Sequence, residues 1–112
     1  MAFNATLEQH DGVAIITLVG ELDASVQQVF REQIETAAAQ NPQRLVLMMN
    51  DLEYMSSAGL RTLIYARQKM GNDVDIYIIG ATEGIVETLE MTGFSNSVIM
   101  LDQYDAAQIE HG

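Results

Sequence analysis

The stretch Leu45-Val-Leu-Met-Met-Asn-Asp-Leu-Glu-Tyr-Met-Ser-Ser-Ala-Gly-Leu-Arg-Thr-Leu-Ile-Tyr-Ala66 decides how this chain folds. It opens on a short, wholly apolar run, Leu45 to Met49, which reads as a central strand of a sheet covered on both faces. It then changes period. Leu60, Leu63, Ile64 and, beyond the stretch, Met70 predict a helix from about Ser57 to Met70 with those residues inward. Arg67 and Lys69 fall in its last turn, where the helix dipole favours cations, and Gly71-Asn72 closes it. Between strand and helix stand two adjacent hydroxyls, Ser56 and Ser57, followed by the small residues Ala58 and Gly59.

On the N-terminal side, Phe3 to Glu8 and Val13 to Val19 read as two strands joined through His10-Asp11-Gly12, a local signal for a tight hairpin. Gly20-Glu21-Leu22-Asp23 is expected to break the second strand. From Ser25 the spacing of Val26, Val29, Phe30, Ile34, Ala37 and Ala38 predicts an amphipathic helix. Ser25 with Gln28 fits a capping box, and Asn41-Pro42 ends the helix. On the C-terminal side the expectations are a strand at Asp75–Ile79, a short helix from Thr82 to Thr92 stopped by Gly93, a strand from Ser97 to Leu101, and a last helix from Asp102 to Glu110 with an Asp cap. A hairpin followed by alternating helix and strand implies an α/β layer fold. Its sheet is mixed and mostly parallel, with the first strand antiparallel at one edge and about four α-helices packed on it.

The length of 112 residues suits one domain, residues 1–112, with a single core. There is no cysteine, hence no disulfide framework, thiol chemistry or Cys-ligated metal. The opening Met-Ala-Phe-Asn carries no basic segment before an apolar run, and no stretch approaches the roughly 18 apolar residues of a membrane helix. A cytoplasmic protein without membrane insertion is the expectation. Sixteen acidic residues against five basic ones give a formal charge of −11, a field that opposes nucleic acid and anionic lipid and speeds encounter with a basic partner.

Catalytic arrangements fail at the level of residue types. The histidines, His10 in a turn and His111 at the end, lie far in sequence from any nucleophile and lack metal-ligand spacing. Ser57 lacks a nucleophile elbow because Met55 occupies the first glycine position. There is no phosphate-binding glycine loop. The expectation is no enzyme and no cofactor. Ser56 and Ser57 have two readings on spacing alone. One serine caps the helix, a contribution of ~1 kcal/mol; or a hydroxyl at the first turn, in front of free N–H groups, takes a phosphate. In the second reading Ala58 and Gly59 leave the hydroxyl open to another protein's active site. Phe94 and Tyr54 are assigned to packing, and the methionines to core filling.

The order Asp51-Leu-Glu-Tyr-Met-Ser-Ser-Ala-Gly-Leu-Arg-Thr-Leu-Ile64 resembles the signature of STAS domains, in particular bacterial anti-sigma factor antagonists. Gly20-Glu21-Leu22-Asp23 and Leu89-Glu-Met-Thr-Gly-Phe94 resemble further segments of that family, so the likeness spans nearly the whole chain. It implies the STAS fold and a protein-binding phosphoswitch in bacterial transcription control. The unphosphorylated form binds an anti-sigma factor that is also a GHKL-type serine kinase, releasing its sigma factor; phosphorylation inactivates it, and a serine phosphatase resets it. By position the acceptor is Ser57, with Ser56 second. Many members carry Asp where this chain has Ser56. The implied partner surface comprises Glu21, Asp23, Ser56, Ser57, Ala58, Gly59 and Arg61. The alternative is a STAS subunit of an ABC lipid-transport system, not controlled by phosphorylation.

Overall fold

The computed structural model describes residues 2–111, apart from the side chain of His111, so the reading of that histidine lies outside the described residues. Five strands, β1 (Asn4–His10), β2 (Val13–Leu22), β3 (Arg44–Met55), β4 (Asp75–Ile79) and β5 (Ile99–Leu101), form one sheet whose spatial order follows chain order. β1 and β2 run antiparallel, and every later pair is parallel. The intervening helices are α1 (Gln27–Ala39), α2 (Ser57–Met70) and α3 (Glu83–Met91); α4 (Ala106–His111) follows β5. This is the mixed α/β architecture expected from the sequence.

The hairpin is a two-residue turn. His10 pairs with Val13, while Asp11 and Gly12 take φ of 51° and 80°. Positive φ at both central positions matches the twist of the flanking strands, and this tight closure carries pairing past the expected end at Glu8. Each parallel step then moves to the next strand in the same direction, so right-handed crossovers place all three connecting helices on one face. Phe30 and Ile34 of α1, Leu63 of α2, and Ile85 and Leu89 of α3 accordingly share one core with Ile16, Leu47 and Ile78 of the sheet. The opposite face holds a smaller cluster, Val13, Val46, Tyr77 and Ile79, closed by Ile109 of α4. Because α4 is short, Met48 on that face stays only half-buried, and the cover on both faces expected for β3 is incomplete.

The ranges of α2 and β4 agree with the sequence reading, and α3 with its Gly93 stop agrees within a residue at each end. Other expectations need correction. Gly20 does not break β2, and β3 does not stop at Met49; their ladder continues to Leu22 and Met55 through two irregularities in register. Gly20 has φ 96°, and a Cβ there would stand 2.6 Å from the carbonyl oxygen of Ala2, so glycine is needed for strain and for space. The Ser25–Gln28 capping box is absent. α1 starts later, after Val26, because Ser25 is held by Asp23 instead. The cap of α4 is Asp105, which accepts a bond from the Gln108 N–H at 3.2 Å, rather than Asp102. A single 3-10 turn, Phe94–Ser97, shortens β5. Val29 and Ile64 are 40% and 39% exposed, at the margins of helical faces whose centres are Phe30 and Leu63.

Arg67 does more than complement a dipole. Its guanidinium donates to the carbonyl oxygens of Gly71, Val74 and Ser97, fastening the end of α2 to the strand that follows and to the entry of β5. Charge-assisted bonds of this kind are worth about 1.5–3 kcal/mol each when a partner is lost. Arg67→Met should therefore lower stability to urea by about 2–4 kcal/mol, and Arg67→Lys should recover little, since an ammonium cannot reproduce the planar fork.

Candidate functional site

β3 turns directly into α2. Met55 ends the strand, Ser56 takes an extended conformation (φ −82°, ψ 177°) as the cap residue, and Ser57 is the first helical residue. The Ser56 N–H donates to the carbonyl of Leu22 at 2.8 Å, which extends the β2–β3 ladder to the threshold of the helix. A Cβ at Gly59 would stand 2.6 Å from Met55 Cγ and 2.9 Å from Leu22 Cγ. The first turn of α2 is thus pressed against the ends of both strands.

This corrects the role expected of the small residues. Ala58 is 3% exposed and Gly59 is buried, so neither forms an open approach to a hydroxyl. They are small because the helix must sit close to the sheet, and by sitting close it fixes where Ser57 points. Buried Thr62 adds to the seating. Its Oγ1 donates to the Ala58 carbonyl at 2.9 Å and lies 3.2 Å from Gln27 Oε1 of α1. One turn further, Tyr65 donates to Glu35 of α1 at 2.8 Å, and the guanidinium of Arg31 stacks 4.3 Å above its ring.

The cap reading of the serines is not realised as expected. Ser56 occupies the cap position but makes no side-chain cap bond; its Oγ is screened from solvent without a hydrogen-bond partner among the described residues. Ser57 is exposed, and the first turn of α2 contains no acidic residue. Its leading N–H groups therefore have no side-chain cap, and the helix dipole makes this a locally positive end in a strongly acidic chain. Arg61, one turn on, is also exposed and carries no ion pair among the described residues.

Glu21 and Asp23 arrive at the same end because Leu22 pairs with Met55 and Glu21 with Tyr54. Glu21 belongs to β2 itself rather than to a loop, and it is exposed. Asp23 opens the connection to α1. Its carboxylate accepts the Ser25 hydroxyl at 2.6 Å and the Ser25 N–H at 2.9 Å, and these bonds hold it below the usual carboxylate range. The structure thus gathers Glu21, Asp23, Ser56, Ser57 and Arg61 at one end of the sheet. One neighbour was assigned differently from the sequence: Tyr54 is 51% exposed rather than packed. Strand alternation does not reveal it, because an extra residue in β3 separates buried Leu52 from buried Met55. Phe94 is buried, as expected.

The family follows from the whole length of the chain. The model of the STAS domain matches residues 4–107. This chain belongs to the STAS domain family. It is 30% identical over 78 residues to the anti-sigma-F factor antagonist RsfB of Mycobacterium tuberculosis, a match spanning 70% of this chain but only 64% of RsfB. Among solved structures, an anti-sigma factor antagonist from Mycobacterium paratuberculosis superposes with a TM-score of 0.85 at 22% identity, covering 96% of this chain and 92% of that one. The Bacillus cell fate determinant SpoIIAA in its phosphorylated form gives 0.69 at 18% identity, covering 87% and 90%. At those identities the likeness is one of fold. Among the described residues this STAS domain has no helix long and apolar enough to cross a membrane, and no grouping of three His, Asp or Glu able to hold a metal.

Two measurements check the geometry of the STAS site. Gly59→Ala gains about 1 kcal/mol of helix propensity but overpacks Leu22 and Met55 at a cost of about 1–3 kcal/mol, so denaturant unfolding should show a net loss of about 1 kcal/mol. Ser25→Ala removes the hydroxyl that donates to the Asp23 carboxylate while keeping the backbone N–H donor, and an NMR titration should find the Asp23 carboxyl protonating at higher pH than in the parent. Since the folded form holds this proton less tightly, the stability gained from Asp23 is complete above the ordinary carboxylate range and fades as pH falls through its lowered value.

Proposed function

We propose that this STAS domain is an anti-sigma factor antagonist that works as a phosphoswitch, with Ser57 as the phosphate acceptor. The observation that carries the proposal is the placement of Ser57. It is exposed at the uncapped start of a helix, on a turn held against the β2–β3 ends by the Ser56–Leu22 bond and the Gly59 contact. Such a turn presents a hydroxyl to a kinase without unfolding, and its free N–H groups accommodate the phosphate afterwards. The names of the relatives, anti-sigma-F factor antagonist and anti-sigma factor antagonist, support the reading.

In this reading the unphosphorylated domain binds an anti-sigma factor that is also a GHKL-type serine kinase. The contact surface is formed by Glu21, Asp23, Ser57 and Arg61, with Ser56, Ala58 and Gly59 setting the turn beneath them. The nucleotide and the catalysis belong to the partner; this chain supplies a surface and a hydroxyl. A phosphate brings about −1.5 to −2 charges at pH 7. Each unit charge ~8 Å away interacts by about 2 kcal/mol at an effective dielectric near 20. Next to a partner surface shaped for a neutral serine, that weakens the complex by ~10²-fold or more without any change of fold. A serine phosphatase restores the binding form. The setting proposed is the bacterial cytoplasm.

Parallel capture with Ser57→Ala and Ser57→Asp baits tests this. The alanine form should retain a GHKL-type kinase and the aspartate form should lose it, with both melting near the parent temperature. Mass spectrometry after incubation with that kinase and ATP should place the phosphate on Ser57. Phosphate found only on another residue, Ser56 included, overturns the assignment. Equal recovery of a transport ATPase by both baits would instead identify a STAS subunit of an ABC lipid-transport system.

A further inference from the structure

The pairing of β3 with β4 ends at Met48 and Ile79, yet β3 runs on to Met55 beside β2 alone. From Met49 onward the side of β3 that faces away from β2 has no strand partner among the described residues. In this overhang β3 twice takes one more residue than β2, between Thr17 and Val19 and again between Gly20 and Glu21. The bulges keep Leu52 and Met55 in the core while leaving Asn50, Asp51, Glu53 and Tyr54 exposed. Bulged strand ends next to sites commonly re-aim side chains in this way. Tyr54 has no hydrogen bond on its hydroxyl among the described residues, and Asp51 and Glu53 have no ion pair there. Val19, Leu52 and Thr82 complete a concavity of about 340 Å³ beside Asn50, Asp51 and Glu53.

We propose that the overhanging edge of β3 from Asn50 to Tyr54 is a docking strip for an extended arginine- or lysine-bearing segment of a protein partner, anchored on the Tyr54 ring. It rests on the reading of this domain as a partner-binding module, but not on phosphorylation of Ser57. The unpaired main chain offers the bonds of strand addition. The ring offers a flat face on which a guanidinium stacks, and half-exposed tyrosines are preferred interface anchors. Charge selects the occupant. Acidic side chains on an open edge repel a second acidic strand, so a copy of this chain, at −11, is disfavoured, while a cationic segment is drawn in and paired.

The test uses the full chain, labelled with nitrogen-15 and titrated with a short extended peptide alternating arginine and valine, and in parallel with its glutamate counterpart. Amide shifts confined to residues 50–55 and their neighbours on β2 are expected with the arginine peptide only. Tyr54→Ala should weaken that binding about 10-fold. Tyr54→Phe should retain it, and Asp51→Asn with Glu53→Gln should weaken it and flatten its salt dependence. Unchanged thermal melting of the variants shows that each is folded. Shifts centred elsewhere, an equal response to the glutamate peptide, or undiminished binding by Tyr54→Ala overturns the proposal. No kinase enters this experiment and Ser57 is intact, so its failure is distinct from failure of the phosphoswitch.

Discussion

The rest of the structure depends on how closely the first turn of α2 approaches the ends of β2 and β3. Gly59 lies against Leu22 and Met55 so closely that even a Cβ would push their side chains aside, and one residue before the helix the Ser56 N–H closes onto Leu22. Those contacts join the end of β2 to the β3–α2 turn, which lies far from it in sequence. Leu22 leads to Asp23 and the entry of α1, Met55 ends the longest strand, and Ser57 starts the helix that carries Arg61, Thr62, Tyr65 and Arg67. The same seat sets Thr62 beside Gln27 of α1 and Ser57 at the end of the sheet that carries Asp23. The close packing typical of protein interiors makes such a seat nearly all-or-none.

How much of this was legible in the sequence follows from what each element depends on locally. α2 and β4 are readable to the residue because their patterns are set by their own apolar periods and, for α2, by the Gly71 stop, and the Asp11-Gly12 turn because its backbone chemistry is local. The overhang of β3 was not. Its bulges arise from pairing with β2, and they shift the burial pattern so that Tyr54, which alternation from Leu52 would place inside, stands outside. Ser25 departs from its spacing for a related reason. A serine three places before a glutamine has the right spacing for a capping box, but Asp23 is nearer and stronger as an acceptor. Ala58 and Gly59 carried a true signal, smallness, whose cause is visible only once Leu22 is brought beside them.

The electrostatic character of the proposed contact surface is mixed on a small scale. An uncapped helix start and Arg61 stand beside Glu21 and Asp23, in a chain whose overall field is strongly negative. In the proposed switch, a phosphate on Ser57 would meet acids on one side and N–H dipoles on the other. The turn itself is seated by packing against the ends of β2 and β3.

The identity of spatial and sequential strand order has a consequence for how the molecule is made. Every strand pairs with the one just before it, so each addition closes a loop no longer than one helix and its turns. Parallel sheets are usually slow to assemble because distant segments must meet first. Here the β1–β2 hairpin joins contiguous residues, and β3, β4 and β5 extend the sheet in chain order. A nascent chain emerging N-terminus first can therefore grow its sheet edge by edge. α4, which packs Ile109 onto Val46, Tyr77 and Ile79, follows all five strands in chain order.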